Sequence, residues 1–243
     1  MNITYVSALY DIYNLSKVSD RLSNDVKILL MKNLRLIMFV DDFYYDVLET
    51  MERSDTVRII KLPIKQLAIY NMIIGNKNLL TLPSSRSPEK DTHEYMALMN
   101  TKVEFLHRAK DLATTEYLGW VDAGISKMLS NKDESFERLR VAEITGINNV
   151  LIPGCYIRHV NFYDLCDRVW WLFIGTFLIC NKDFVQTFYN RSLQSMCKFV
   201  AHRFIPWEVN IWADMLYQHP DTFQWYHSEH TDSLTIFPSQ YLK

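Results

Sequence analysis

The segment Leu34-Arg35-Leu36-Ile37-Met38-Phe39-Val40-Asp41-Asp42 decides the fold, because it is an almost continuous apolar run that stops at two carboxylates. Residues 20–33, which precede it, carry apolar side chains at helical spacing, so a helix leads into the run. A short, uninterrupted apolar run after a helix is typical of a strand that is buried on both faces of a parallel sheet.

The same alternation extends to both sides of this segment. Residues 3–9 form a short run rich in strand formers, and residues 44–53 and 56–62 predict a helix followed by another strand. The order β-α-β-α-β favours an α/β fold with an open, mostly parallel central sheet flanked by helices.

The rest of the chain is predicted from the same periodicities and from the proline and glycine positions. We expect a helical segment from Pro63, a loop at 81–90, one long amphipathic helix at 91–113, a strand at 117–121, a helix at 134–145, an extended segment at 149–156, a buried strand at 171–180, and helices at 182–200 and 206–217.

Composition excludes several classes of function. The 243 residues include 26 basic and 28 acidic side chains spread along the chain, which leaves no basic footprint for nucleic acid. The six glycines are not grouped, so the dinucleotide-binding and P-loop fingerprints are both missing.

Cysteine usage and hydropathy suggest the compartment. The four cysteines have no C-x-x-C spacing, the N-terminus does not resemble a signal peptide, and the longest apolar run, 170–180, is too short to cross a bilayer. We expect a cytoplasmic protein without a transmembrane segment, while transient contact with a membrane stays open.

Polar residues follow three of the predicted strands, as Tyr10-Asp11, Asp41-Asp42 and Asp122. Ligands of open α/β sheets gather outside the carboxyl ends of the strands. Asp122 is the candidate for a divalent ion, Mn²⁺ or Mg²⁺, that would neutralise a leaving diphosphate. A capping role is the alternative for Asp122, and for Asp41 or Asp42 it is the preferred interpretation.

Candidate residues also lie in the second half of the chain. His227 and His230 could complete a metal site, although a solvated loop explains them equally well. Glu208, in the first turn of a helix, could be a catalytic base or could only balance the helix dipole. Gly175 could mark the close approach of a ligand or of a helix, and Trp207 is a candidate for stacking on a sugar.

The order of several motifs resembles the HtrL/YibB-like (WlaTC-like) family of glycosyltransferases. The matching segments span most of the chain: Val6-Ser7-Ala8-Leu9-Tyr10-Asp11, Asn100-Thr101-Lys102-Val103-Glu104-Phe105-Leu106, Trp120-Val121-Asp122-Ala123-Gly124-Ile125, Ile174-Gly175-Thr176-Phe177, Trp207-Glu208-Val209-Asn210 and Trp225-Tyr226. The resemblance implies a GT-A fold in one domain, with a nucleotide-sugar-binding half at 1–125 and an acceptor-binding half at 126–243.

The resemblance also implies roles for individual residues. The donor-binding residues would be Ala8, Leu9, Tyr10 and Asp11 at the nucleoside, Asn100 and Lys102 at the phosphates or sugar, and Gly124. The acceptor-binding residues would be Gly175, Thr176 and Trp207. Asp122, together with His227 or His230, would hold the metal ion. One departure concerns the Asp-x-Asp motif of many GT-A enzymes, because Gly124 stands where the second acid is common.

These observations predict a metal-dependent glycosyltransferase that moves a hexose from a UDP-sugar to a hydroxyl of a glycan or glycolipid. The missing second acid leaves open a relative that binds a nucleotide or glycan without turnover. A nucleotidyltransferase would share the sheet, but it usually needs a glycine-rich basic loop after the first strand, where residues 9–17 offer only Lys17.

Overall fold

The computed structural model describes residues 2–12, 20–88, 90–156 and 160–243, and it describes the side chains of these residues except 20–23. Lys17 therefore lies outside the described residues. The seven strands are β1 (Ile3–Leu9), β2 (Leu36–Val40), β3 (Val57–Lys61), β4 (Tyr117–Val121), β5 (Val150–Gly154), β6 (Phe177–Asn181) and β7 (Phe223–His227). The helices are α1 (Asp20–Met31), α2 (Asp42–Glu49), α3 (Ala68–Gly75), α4 (His93–Asn100), α5 (Lys102–Ala109), α6 (Lys132–Val141), α7 (Phe162–Asp167), α8 (Val185–Ala201) and α9 (Glu208–Gln218).

The strands form one mixed sheet in the order β3-β2-β1-β4-β6-β5-β7. Neighbouring strands are parallel except at β6, which runs antiparallel to both β4 and β5. The expected α/β fold with a mostly parallel sheet flanked by helices is confirmed.

Helices cover both faces of the sheet, and each face has its own apolar core. Strand β2 shows why its sequence is continuously apolar. Ile37 and Phe39 point into the core that contains α4 and α5, while Leu36 and Met38 point into the core that contains α1 and α2. Because successive side chains of a strand alternate between faces, a strand covered on both faces has no polar positions.

Two predicted elements are wrong in extent. The helix expected at 91–113 is divided at Thr101 into α4 and α5. Asn100, the last residue of α4, donates its side-chain amide to the carbonyls of Met96 and Pro206, and this bond holds the end of α4 against the start of α9. Helix α5 thereby gets its own N-terminus at Lys102.

The strand expected at 171–180 begins only at Phe177. Residues 171–176 form turns instead, because their backbone groups bond irregularly to the end of β5. The amide of Cys155 donates to the Trp171 carbonyl at 3.2 Å, and the amide of Ile174 donates to the Pro153 carbonyl at 2.8 Å. Gly175 and Thr176 thus precede the strand rather than interrupt it.

The last two differences concern the C-terminal part. Residues 223–227, for which no element was predicted, form β7 beside β5. Helix α9 begins at Glu208 with Trp207 as its N-cap, so Pro206 lies outside the helix rather than in its first turn.

Candidate functional site

The site lies at the edge of the sheet where the chain changes direction. Strand β1 lies between β2 and β4, so the chain leaves β1 on one side and returns on the other. In open α/β sheets this arrangement opens a crevice at the carboxyl ends of the two central strands. Because β6 is antiparallel to β4, the residues that precede β6 lie at the same edge as the residues that follow β4.

Asp122 follows β4 at this edge. Its amide donates to the Thr176 carbonyl at 2.9 Å, which extends the β4–β6 pairing by one bond. Its Oδ1 accepts a hydrogen bond from the Trp120 indole Nε1 at 2.7 Å, and its side chain is 31% exposed. Asp122 is therefore anchored to the sheet and still reaches the crevice. The Asp41 carboxylate instead caps α2 by accepting from the Tyr44 amide, which confirms the preferred interpretation of that residue.

Lys102 lies behind Asp122 at the first position of α5, where its side chain is 2% exposed. Its ammonium lies 3.0 Å from Asp122 Oδ1 and 2.8 Å from Glu208 Oε1, and it donates to the Gly175 carbonyl at 2.9 Å. Burial by itself lowers the pKa of Lys102, but the charges of Asp122 and Glu208 outweigh it, so the pKa lies above the usual lysine value. The lysine is charged and links two carboxylates from different parts of the chain.

Glu208 is the second carboxylate, and it is almost fully buried in the first turn of α9. The positive end of the helix dipole favours a carboxylate there. Gly175 packs directly against it, because a Cβ at that position would overlap the Glu208 carboxylate. The glycine is thus required by close approach between the chain and this acid. We call Asp122, Lys102 and Glu208 the charge cluster.

Two chambers meet at the charge cluster. The first, with a volume of about 400 Å³, contains most of the residues predicted to bind the donor, so we call it the donor chamber. Its floor is formed by β1, β4 and α5, and its lining includes Ala8, Leu9, Tyr10, Ile12, Phe105, Trp120, Gly124 and Lys127. The Tyr10 hydroxyl donates to the Leu62 carbonyl at 2.8 Å, so the ring is held in place as part of the wall.

The second chamber, of about 500 Å³, contains the residues predicted to bind the acceptor, and we call it the acceptor chamber. Glu208, Gly175, Thr176 and Trp207 line it, together with Ser85, Arg86, Ser87, Asp91, Val169, Trp171 and His230. Lys90, Tyr95, Met99, Lys102, Asp122, Met128 and Thr176 line both chambers. The cleft is therefore continuous, and its centre is the charge cluster.

Two of the predicted donor residues, Asn100 and Asp11, do not line the cleft, and a third, Lys102, lines it with its ammonium bound to protein acceptors. Asn100 is buried, and its side-chain amide donates to the carbonyls of Met96 and Pro206, so it does not face the cleft. Asp11 is not part of the chamber lining, and its amide donates to the Asp41 carboxylate. The Lys102 ammonium is saturated by protein acceptors, so it acts on a ligand through the carboxylates it holds rather than by direct contact.

The two histidines predicted as alternative partners of Asp122 have different surroundings. His227 ends β7 as an exposed side chain and is absent from the cleft lining. His230 does line the acceptor chamber, with its ring against Trp171 at 4.6 Å between centroids. Across the described residues no group of three or more His, Cys, Asp or Glu side chains could hold a metal ion. The bound Mn²⁺ or Mg²⁺ itself stays a prediction.

Sequence reasoning missed several cleft residues. Arg86 and Lys90 come from the loop at 81–90, and Trp171 and Lys127 follow segments whose turns were not predicted. The sequence contains one indication of Arg86 and Lys90 as binding residues: both cations lie in a Ser- and Pro-rich loop, and loops carry many binding residues. Its position over the acceptor chamber depends on contacts with Asp167 and Arg168, which are distant in the sequence.

Comparison with known proteins gives similarity of fold. The crystal structure of mouse xyloside xylosyltransferase 1 in its apo form superposes with a TM-score of 0.50 at 10% sequence identity, covering 93% of this chain and 85% of that chain. The 4-diphosphocytidyl-2C-methyl-D-erythritol synthase from Anaerococcus prevotii superposes with a TM-score of 0.39 at 12% identity, covering 98% and 91%. The first similarity supports a fold of the GT-A type.

Neither a protein-family model nor a curated protein matches the chain. The resemblance to the HtrL/YibB-like family is therefore supported only to the level of the GT-A-type fold. Among the helices of the described chain, none is long and apolar enough to cross a membrane.

Proposed function

We propose that the protein is a glycosyltransferase that moves a hexose from a UDP-sugar to a hydroxyl of a carbohydrate acceptor. One observation carries this proposal: two chambers of different chemistry meet at a charge cluster that presents Asp122 and Glu208 to the same space. The fold shared with xyloside xylosyltransferase 1 supports the same class of reaction.

The donor chamber has the composition that a nucleoside diphosphate requires. Ala8, Tyr10 and Ile12 offer an apolar wall for a base, at the carboxyl end of β1. Two lysines, Lys90 and Lys127, line the chamber, and Lys90 also lines the acceptor chamber. Their charges can neutralise the diphosphate that leaves, which stabilises the transition state electrostatically.

The acceptor chamber supplies the other half of the reaction. An acceptor hydroxyl placed beside Glu208 attacks C1 of the hexose, a new C1–O bond forms, and the C1–O bond to the diphosphate breaks. The Glu208 carboxylate accepts the hydroxyl proton. Lys102 positions this acid, because it holds Glu208 Oε1 at 2.8 Å and fixes the acid relative to Asp122. Trp171, which is 39% exposed, and Trp207 offer flat faces for a sugar ring.

A divalent ion in the cleft would be held through Asp122. Asp122 is the one predicted ligand at the centre of the cleft, and the Lys102 ammonium lies 3.0 Å from its Oδ1. A cation at this distance competes with a divalent ion for the same carboxylate. Calorimetry with UDP, with and without Mn²⁺, measures whether an ion enters together with the nucleotide.

The experiment is a hydrolysis screen with a panel of UDP-hexoses, in which released UDP is measured without an added acceptor. Release from at least one UDP-hexose supports the proposal. With a sugar to which wild type transfers the hexose, Glu208→Gln should lower the rate of transfer by at least 100-fold relative to wild type while the protein still binds UDP. Glu134→Gln, an exposed glutamate of α6, is the matched control and should transfer normally. If wild type neither binds nor cleaves any UDP-hexose, the proposal is wrong.

A second function, binding without turnover, is favoured by one observation. The Lys102 ammonium already contacts both oxygens of Asp122 and one oxygen of Glu208, and the second acid of an Asp-x-Asp motif is absent. UDP binding without any hydrolysis or transfer across the panel would support this function.

A further inference from the structure

The geometry points to an acceptor that carries an anionic group, a phosphate or a carboxylate, which Arg86 binds in the acceptor chamber while the reacting hydroxyl lies at Glu208. This inference rests on the proposed function and specifies the substrate class of the same cleft. Arg86 has no role in the reaction described above, and the motifs that resemble a known family do not include it.

Arg86 lines the acceptor chamber and does not line the donor chamber. Its Nη1 donates to the Pro83 carbonyl at 3.3 Å, whereas its Nε is shielded from solvent and has no hydrogen-bond partner among the described residues. No ion pair joins Arg86 to a carboxylate in the described parts of the chain. A shielded guanidinium nitrogen without an acceptor is costly unless a ligand supplies one.

The loop holds Arg86 in place before any ligand binds. Ser84 donates its hydroxyl to the Asp167 carboxylate, and the Ser85 amide donates to the Asp167 carbonyl at 3.1 Å. On the other side of Arg86, the Ser87 amide donates to Asp91 Oδ2 at 3.0 Å. A side chain on an anchored loop loses less conformational freedom on binding, which favours affinity.

Charges are unevenly distributed within the chamber. Two of the three lining carboxylates, Asp122 and Glu208, are gathered on Lys102 at the charge cluster. The carboxylate of the third, Asp91, accepts a hydrogen bond from the Ser87 amide of the same loop. Arg86 is therefore a lining cation that pairs with no carboxylate of the described residues, in a chamber whose acids at the charge cluster are already held by Lys102. A sugar with an anionic substituent fits this arrangement, with its hydroxyl toward Glu208 and its anion toward Arg86.

A second group in the chamber also lacks a partner. Nε2 of His230 is buried without a hydrogen bond among the described residues, and the imidazole packs against Trp171. Both residues line the acceptor chamber. Phosphate oxygens and carboxylate oxygens both accept hydrogen bonds from a guanidinium, so the two chemistries are separated by experiment.

The test measures binding of matched sugars to the full chain with UDP bound, by calorimetry at constant ionic strength. The probes are glucose, glucose 6-phosphate, glucuronic acid and inorganic phosphate. We expect glucose 6-phosphate or glucuronic acid to bind about tenfold more tightly than glucose, as one charge-assisted contact allows. Arg86→Met should remove this difference and leave UDP affinity unchanged. Arg140→Met, an exposed arginine paired with Glu137 on α6, should change neither value.

Each outcome decides one point. A larger gain for glucose 6-phosphate indicates a phosphate acceptor, and a larger gain for glucuronic acid indicates a carboxylate. Equal binding of all three sugars overturns the inference, and so does inorganic phosphate that binds as tightly as the sugar phosphate. If Arg86→Met weakens UDP tenfold, Arg86 binds the donor and the inference is wrong. Cleavage of UDP-hexoses is scored separately on wild type, so a failure of the proposed function is distinguished from a failure of the anionic site.

Discussion

Replacing Lys102 by methionine tests how the charge cluster is held together. The substitution keeps the length of the side chain and removes the charge that two carboxylates share in a place where the lysine is 2% exposed. Breaking a buried ion pair by removing one partner typically costs about 3–5 kcal/mol, because the remaining charge stays buried. Here Glu208 is the acid left behind, since its side chain is only 10% exposed, whereas Asp122 reaches water.

The assay is urea unfolding of four proteins: wild type, Lys102→Met, Glu208→Gln and the double variant. We expect the free energy of unfolding to fall by about 3–5 kcal/mol in Lys102→Met and to recover by about 2 kcal/mol when Glu208→Gln is added. Lys77→Met removes an ion pair with Glu94 whose lysine is 45% exposed, and should cost less than about 1 kcal/mol. A cost below about 1 kcal/mol for Lys102→Met, or strict additivity in the double variant, would refute this reasoning.

The pH dependence of this difference has a definite sign. The folded pKa of Lys102 is raised, so the stabilisation is fully present below the pKa of the unfolded lysine, about 10.4, and is lost only as pH rises through the folded value. The cost of Lys102→Met should therefore be the same at pH 7 and pH 9. A cost that halves over this interval would contradict the raised pKa.

Three further outcomes follow from the described geometry. Gly175→Ala should lower the rate of transfer at least tenfold, because the added Cβ would displace the Glu208 carboxylate. Gly75 has open space around it, so Gly75→Ala should leave the measured transfer rate unchanged. Burial lowers the pKa of His230 in the folded protein, so the unfolded chain binds a proton more readily and stability falls as pH drops below about 6.5. The melting temperature should therefore fall less between pH 7.5 and pH 5.5 in His230→Asn than in wild type. EDTA should leave the melting temperature unchanged, since no three-ligand group exists among the described residues.

The position of strand β2 could be predicted because a strand that is buried on both sheet faces has a continuous run of apolar residues. The apolar run at 34–40 fits β2, whose side chains alternate between two apolar cores. Asp122 was found for the same reason, since it follows such a run at the edge where ligands gather. Sequence periodicity alone was sufficient at both places.

Predictions failed where distant contacts decide the backbone. The predicted helix 91–113 keeps its apolar stripe through Thr101, yet the structure divides it there, and the Asn100 side-chain amide donates to the distant Pro206 carbonyl at the break. The segment 171–176 is apolar like a strand, yet its Ile174 amide and its Trp171 carbonyl bond to the end of β5 and the segment forms turns. These tertiary contacts have no local signature.

The surroundings of the candidate metal ligands could not be predicted for a related reason. His227 and His230 lie close together in the sequence, but His227 is exposed at the end of β7, whereas His230 packs on Trp171 in the cleft. The partner of Asp122 is instead Lys102, 20 residues earlier in the chain. A lysine between two acids is visible only after the helices and the sheet are assembled.

Asp122→Asn gives the most direct test of a nucleotide-sugar transferase built on the charge cluster. UDP release from the best UDP-hexose is compared for wild type, Asp122→Asn and Asp133→Asn, an exposed aspartate of α6 paired with Lys32. With melting temperatures confirming that all three are folded, we expect Asp133→Asn to match wild type and Asp122→Asn to lose at least 100-fold. Full UDP release by folded Asp122→Asn would contradict the proposed reaction.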